Sequence, residues 1–250
     1  MIDLTRATAL LEQLRPHWEK TPAAEFAVAE GPREGIRVDR ARNAAGRTNM
    51  YLYDAIGGWG GVSARDVVMA LAEVDGDLDL HVNSPGGIIY EGAAIYNAYA
   101  QYQRDGRGKV YAVVDGMAAS AASFIVQAAT DIAIEANATM MVHDGQGFAI
   151  GTAAVMREAA ELLDMLSNTI AEMYAKRGSK TTDEWRAVMT SGDTWYNARE
   201  SVTAGLADRV AGEDPDSTNV LGIFVPTALS PTPEASPDAD FFAALKGALA

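Results

Sequence analysis

Cysteine is absent from the sequence, and histidine is rare. A chain without cysteine forms no disulfide, offers no thiol nucleophile and supplies no thiolate ligand to a metal. The histidines are His17, His81 and His143, and they lack the close spacing that metal sites use. No phosphate-binding loop of the form GxxxxGKS or GxxxxGKT occurs, so any ATP would belong to a partner protein. We therefore expect no metal and no cofactor.

Basic residues and long apolar runs are also scarce. The 250 residues include 20 Lys and Arg against 34 Asp and Glu, which gives a formal net charge of −14. This balance disfavours binding to nucleic acid or to an anionic membrane surface. No apolar run reaches the roughly eighteen residues of a transmembrane helix, and the N-terminal segment carries charges where a signal peptide would be apolar. We expect a cytoplasmic protein that binds neither nucleic acid nor membrane.

The middle of the chain alternates between strand-like and helix-like segments. The strand-like "LDLHVNS" precedes the helix-like "YEGAAIYNAYAQYQ", and "GKVYAVVDG" precedes "SAASFIVQAAT". Ser63 is a candidate N-cap for a helix over "SARDVVMALAEV". An amphipathic helix is expected from about Thr152 to Arg177. This alternation is typical of an α/β fold with a parallel sheet core.

Composition divides the chain into three parts. Residues 1–46 form an N-terminal appendage with an expected helix from Leu4 to Trp18, and residues 47–211 hold the alternating core. Residues 212–250 are acidic and rich in proline, which is typical of a disordered linker, and they end in the apolar stretch "FFAALKGALA". This last stretch is either a frayed terminus or a docking peptide for a partner.

Three features that could carry chemistry follow predicted strands. Ser120 follows "VYAVVDG", His143 ends "ATMMVH", and the pair Gly86 and Gly87 follows "LDLHVNS". In parallel α/β proteins, active groups gather at the carboxyl ends of strands. Each feature also has a structural interpretation, because a serine before a helix is often a cap and a Pro-Gly-Gly sequence is often a turn. Their shared placement is what favours a site.

His143 is the best-placed general base for a serine nucleophile, which usually needs a histidine partner. His17 lies in the appendage, and His81 lies inside a strand, where it should point into the sheet packing. A carboxylate must then hold the imidazole in the correct tautomer. Four acids downstream are candidates from the residues alone: Asp144, Asp164, Asp193 and Asp208.

Four segments together resemble the Clp protease proteolytic subunit family of serine peptidases. They are "LHVNSPGGIIYEGAAIYNAYAQY", "VDGMAASAASFIVQAAT", "NATMMVHDGQG" and "DTWYNARESVTAGLADRV", and the likeness covers about residues 48–210. The resemblance implies a spiral of β-β-α units with a parallel sheet core, related to the crotonase fold. It also implies a homo-oligomeric ring, a heptamer or two stacked heptamers, with the long helix joining the rings and the active sites inside a chamber.

The same resemblance assigns a catalytic triad by position. Ser120, in "GMAAS", matches the family nucleophile, His143 matches the general base, and Asp193 matches the acid. Ser123 does not match the nucleophile and is expected to be a helix residue packed against the core. The implied activity is that of a serine endopeptidase acting on peptides and proteins.

The resemblance also assigns an oxyanion hole. Gly87 and Ala121 match the two residues whose backbone N–H groups bind the oxyanion, and Gly86 supports the turn. The residue types suit this task, because glycine lets backbone approach a substrate closely and backbone N–H groups stabilise a developing negative charge.

The appendages favour one branch of that family. They resemble the Clp-like head maturation proteases of tailed phages and prophages, which cut scaffold and capsid-precursor proteins. In that case the protein acts in the procapsid, and its tails tether it to scaffold or capsid protein. The alternative is the proteolytic subunit of an ATP-dependent complex with a Clp ATPase. Two further alternatives are a catalytically silent assembly scaffold and a crotonase-like acyl-CoA enzyme.

Overall fold

An α/β fold with a largely parallel sheet occupies the part of the chain that the computed structural model describes, residues 36–58, 61–177 and 179–212. The expected helix from Leu4 to Trp18 lies outside the described residues, as does nearly all of the predicted linker. No helix within these ranges is long and apolar enough to cross a membrane.

Eight strands form the sheet, and helices follow or separate them. The strands are β1 (Arg37–Arg42), β2 (Thr48–Leu52), β3 (Leu78–Ser84), β4 (Val110–Ala119), β5 (Asp131–Ile134), β6 (Thr139–Val142), β7 (Thr194–Asn197) and β8 (Arg209–Val210). The helices are α1 (Ala64–Ala72), α2 (Ile89–Arg104), α3 (Ala121–Ile125), α4 (Ala153–Ala175), α5 (Thr182–Thr190) and α6 (Ala198–Ala204), and a 3₁₀ turn (Val126–Ala128) continues α3. The predicted parallel core is confirmed.

The sheet runs in the order β1-β2-β3-β4-β5-β8, and β6 and β7 branch from β4. The pairs from β2 to β5 and the pair of β5 with β8 are parallel, whereas β1 joins β2 in antiparallel orientation. β1 lies before residue 47, the predicted start of the core, so the sheet begins within the predicted appendage.

β4 changes its partner partway along its length. Residues 111–114 pair with residues 131–134 of β5, whereas residues 117–119 pair with residues 139–141 of β6. Both pairings are parallel, so β4 and β6 end side by side. The sheet therefore presents two neighbouring carboxyl ends, one leading to residue 120 and the other to residue 143.

The core lies between the sheet and the helices on one face. Leu78, Leu80 and Val82 alternate along β3 and are fully buried, whereas the residues between them are partly exposed. Ser63 caps α1, as predicted, and it also forms a capping box with Asp66. The expected long helix is α4, and Thr152 accepts a hydrogen bond at its N-cap.

α2 packs unusually close to the helix that follows residue 120. A Cβ atom built on Gly92 would lie 2.7 Å from Cζ of Phe124 and 3.2 Å from Cβ of Ala121. Phe124 is itself buried, so its ring has little room to move away. The absence of a side chain at residue 92 therefore sets how closely α2 approaches α3.

We predict that Gly92→Ala lowers the free energy of unfolding by about 1–3 kcal/mol through overpacking. The sign of this change in the free energy of unfolding is informative, because alanine in a helix interior is otherwise favoured over glycine by about 1 kcal/mol. Asn97→Ala, at an exposed site on the same helix, should change stability by less than about 0.5 kcal/mol. Urea unfolding measures both, and a more stable Gly92→Ala variant would contradict the close contact.

Candidate active site

Strand register brings residues 120, 143 and 193 together. Ala119 pairs with Met141 in the parallel β4–β6 ladder, and the amide of Ser120 donates to the carbonyl of Met141 at 3.0 Å. In the antiparallel β6–β7 ladder, Val142 pairs with Thr194. The next residue beyond Val142 and the one before Thr194 therefore face each other, and these are residues 143 and 193.

Ser120 and His143 are in direct hydrogen-bond contact. Nε2 of His143 lies 2.7 Å from Oγ of Ser120. The His143 side chain is 12 % exposed, so water has little access to the imidazole. A neutral imidazole that carries its proton on Nδ1 can accept the serine proton at Nε2, which is the arrangement that activates a serine nucleophile.

Asp193 faces the other nitrogen of His143 but does not yet bond to it. The distance from Nδ1 of His143 to Oδ1 of Asp193 is 3.8 Å, which is a charge contact rather than a hydrogen bond. Nδ1 is buried and has no hydrogen-bond partner among the described residues. A movement of about 1 Å would bring the two atoms to hydrogen-bonding distance.

Burial lowers the pKa of His143 below its ordinary value of 6.5, because a desolvated imidazolium is unfavourable. The carboxylates of Asp193 and Asp144 act in the opposite direction and offset part of this effect. The imidazole is therefore neutral at neutral pH, which is the form that a general base needs.

The other three candidate acids are engaged elsewhere. Their side-chain partners are Arg186 for Asp144, Arg186 again for Asp164, and Arg177 for Asp208. Asp208 also accepts a hydrogen bond from the amide of Ile132 at 2.7 Å. Of the four acids left open by the sequence, Asp193 is the one whose carboxylate faces Nδ1 of His143.

The turn at Gly86 and Gly87 lies against the backbone of Ser120. A Cβ atom on Gly86 would lie 2.6 Å from the amide nitrogen of Ala121 and 2.7 Å from Cβ of Ser120. Gly86 has φ +88° and Gly87 has φ +152°, conformations that side chains rarely adopt. No larger residue fits at position 86 without displacing the residues around Ser120.

The amide of Gly87 points away from its neighbouring strand segment. The amide of Ile56 donates to the carbonyl of Gly86 at 2.8 Å, and the amide of Ile88 donates to the carbonyl of Ile56 at 2.9 Å. In such a parallel bridge the intervening residue, Gly87, directs its own N–H to the opposite side. Ala121 begins α3, so its amide has no partner within that helix.

Ser123 is packed in the core, as expected, and lies outside this contact network. It is fully buried, and its hydroxyl donates to the carbonyl of Ser120 at 2.6 Å. The hydroxyl of Tyr174 on α4 lies 2.6 Å from Oγ of Ser123. The bond to Tyr174 fixes α3 against α4 behind Ser120.

Two residue placements differ from sequence reasoning or were missed by it. His81 was expected to point into the sheet packing, but its side chain is 24 % exposed and bonds to Asp115 at 2.9 Å. Arg186, which bonds to Asp144 beside His143, carried no motif that could single it out.

His17 lies outside the described residues. Within the described part of the chain, no group of three His, Asp or Glu side chains could hold a metal ion.

Comparison with known proteins places the chain in a family. The family model described as Clp protease matches residues 61–214. ATP-dependent Clp protease proteolytic subunit 1 of Leifsonia xyli is 30% identical over 151 residues, which cover 60% of this chain and 74% of that protein. Subunit 2 of Bifidobacterium longum is 30% identical over 152 residues, covering 60% of this chain and 70% of that protein. The ATP-dependent Clp protease proteolytic subunit of Pleurastrum terricola is 31% identical over 137 residues, which cover 54% of this chain and 67% of that protein.

The family model spans well over half of the chain and includes Ser120, His143 and Asp193 with the strands that place them. The fold has the parallel sheet core and the helices expected of such a protein. The chain therefore belongs to the Clp protease family and is a serine-type endopeptidase.

Proposed function

We propose that Ser120, His143 and Asp193 act as a Ser-His-Asp triad that hydrolyses peptide bonds. The observation that carries the proposal is the 2.7 Å contact between Oγ of Ser120 and Nε2 of His143, a base that burial keeps neutral. Oγ attacks the peptide carbonyl carbon while its proton passes to Nε2. The resulting oxyanion is bound by the amides of Gly87 and Ala121.

The second half of the reaction uses the same groups. The imidazolium of His143 returns its proton to the amine nitrogen, the carbon–nitrogen bond breaks, and an acyl group remains on Ser120. Water then attacks this ester with His143 as the base, and the acid product leaves. Asp193 stabilises the imidazolium in both steps, and we propose that it closes the 3.8 Å gap to Nδ1 when substrate binds.

The backbone of Ser120 supports a functional interpretation. Ser120 has φ 51° and ψ −123°, and it is the one non-glycine residue with positive φ in the described part of the chain. Such a conformation costs a residue with a side chain of order 1–3 kcal/mol. Strained residues of this kind cluster at functional sites, and here the strain turns Oγ toward Nε2 of His143.

For the substrate, we propose scaffold or capsid-precursor proteins cut during phage head maturation. The support is that long segments flank the sheet, which begins at β1 (Arg37–Arg42) and ends at β8 (Arg209–Val210), and that the resemblance links such appendages to those proteases. These segments would tether the enzyme to its assembly substrate. Action inside a procapsid would place the protein in the host cytoplasm.

The second candidate is the proteolytic subunit of an ATP-dependent complex. The names of the relatives favour it, since each is an ATP-dependent Clp protease proteolytic subunit. The two candidates differ in partner. If the first candidate is right, co-expression with phage scaffold and capsid-precursor proteins should yield cleaved products without added ATPase. Cleavage that instead requires a Clp ATPase and ATP would favour the second candidate.

We also propose that copies of the chain form rings. Several apolar side chains on α4 are exposed in the single chain: Val155, Met156, Leu162 and Met165. The last part of the same helix is buried at Ile170, Met173 and Tyr174. An exposed apolar stripe that continues a buried one is typical of a surface covered in an oligomer.

We predict that Ser120→Ala abolishes covalent labelling by a fluorophosphonate probe and lowers the peptidase rate on the order of 10⁴-fold or more. Ser123→Ala should still be labelled, because Ser123 is buried behind the site. Mass spectrometry of the labelled peptide locates the adduct. Equal loss in both variants, or an adduct on another residue, would contradict the assignment of Ser120.

We predict that Ser120→Gly is more stable than Ser120→Ala by about 1 kcal/mol, although both are inactive. Glycine adopts φ 51° without the steric cost that alanine shares with serine. Comparing the two inactive variants by thermal unfolding isolates the backbone from the loss of the hydroxyl. Equal stability, or a more stable alanine variant, would mean that residue 120 is not strained.

A further inference from the structure

Arg186, on α5, bonds both to Asp144, which follows His143, and to Asp164 on α4. Its Nη1 donates to Oδ1 of Asp144, and its Nη2 donates to Oδ1 of Asp164 at 3.2 Å. The Arg186 side chain is 16 % exposed, whereas Asp164, on α4, is 73 % exposed. The better-buried partner of this guanidinium is therefore Asp144, which directly follows His143.

The bond between Arg186 and Asp144 links the helix that precedes Asp193 to the segment that follows His143. Arg186 lies on α5, and α5 ends at Thr190, just before the turn that carries Asp193. On the other side, Asp144 is fixed by a second bond, since it also accepts from the amide of Gly145 at 2.9 Å. A helix that leads to the acid is thus anchored to the segment that holds the base.

The same contact balances charge beside His143. The carboxylates that face His143 are Asp193, from the turn before β7, and Asp144, from its own segment. Burial alone would raise the pKa of Asp144, but the bonds from Ser167 and Arg186 outweigh it and lower that pKa. Asp144 is therefore ionised, and Arg186 from α5 compensates its charge, with Asp164 of α4 beyond. On the β4 side, His143 meets the neutral hydroxyl of Ser120.

We propose that Arg186 is a positioning residue for the triad, which holds α5 so that Asp193 meets His143 and compensates the charge of Asp144 next to the base. This inference rests on the proposed triad. Arg186 does not touch the reacting atoms and acts through Asp144 and through the helix that precedes Asp193.

The test is the rate of fluorophosphonate labelling of the full chain, measured against pH and probe concentration. Arg186→Gln should slow the maximal labelling rate about tenfold, with little change in the probe concentration that gives half the maximal rate. The acid limb of the pH profile is the pH range in which the labelling rate falls on acidification. In Arg186→Gln this limb should shift to higher pH by on the order of half a pH unit, because the uncompensated carboxylate of Asp144 favours the imidazolium of His143.

Two companion variants separate charge from geometry. Asp144→Asn should move the acid limb in the opposite direction, to lower pH, because a carboxylate beside His143 is lost and Arg186 remains. Arg186→Lys keeps the positive charge and should leave the acid limb of the pH profile near that of the native protein. The maximal labelling rate should still fall, because lysine cannot make the planar contact with both carboxylates. The matched control is Arg209→Gln, which breaks an exposed ion pair with Asp131 on β5 and should change neither quantity.

Each outcome decides the proposal. An acid limb that Arg186→Gln and Asp144→Asn leave unchanged, or shift in the same direction, would overturn the charge role. An unchanged maximal rate in Arg186→Gln and Arg186→Lys would overturn the positioning role. If Arg186→Gln does not fold, Arg186→Lys and Asp144→Asn carry the same two tests. A native chain that is not labelled, or a labelled Ser120→Ala variant, would instead refute the triad itself.

Discussion

The site depends on one constraint, the change of partner along β4. A strand has one hydrogen-bonding edge on each side, so β5 and β6 can occupy the same edge of β4 only along different lengths of it. β5 takes residues 111–114 and β6 takes residues 117–119. The pairing register of β3 with β4 shifts between these two segments, after Val114 and before Ala118. The end of β4 is thereby free to lie beside β6.

Backbone geometry, rather than the side chains themselves, brings Ser120, His143 and Asp193 together. Parallel pairing of β4 with β6 sets Ser120 beside His143, and antiparallel pairing of β6 with β7 sets Asp193 opposite the same histidine. Burial then sets the chemistry, because desolvation keeps His143 neutral. The family match covers these strands as one continuous block, so the sheet and the site belong to the same unit.

Local patterns predicted much of this arrangement. The strand β3, the cap at Ser63 and the long helix α4 all depend on neighbours within the same segment, and the sequence indicated each of them. The structure also brings Ser120, His143 and Asp193 together. The partly exposed position of His81 follows from the alternation of β3, in which Leu80 and Val82 face the core, so the expectation for His81 misread a local pattern. The bond from Arg186 to Asp144 and the 3.8 Å gap at Asp193 depend on tertiary register and could not be predicted. Choosing Asp193 from the four acids likewise needed the resemblance, because no local pattern separates them.

The most direct test of the central claim is a crystal structure of the protein after reaction with a fluorophosphonate. The account predicts a phosphorus atom bonded to Oγ of Ser120, with its phosphonyl oxygen within hydrogen-bonding distance, about 2.7–3.1 Å, of the amides of Gly87 and Ala121. It also predicts that Asp193 has moved to bond Nδ1 of His143. An adduct whose oxygen points away from both amides, or one attached to a different residue, would contradict the proposed active site.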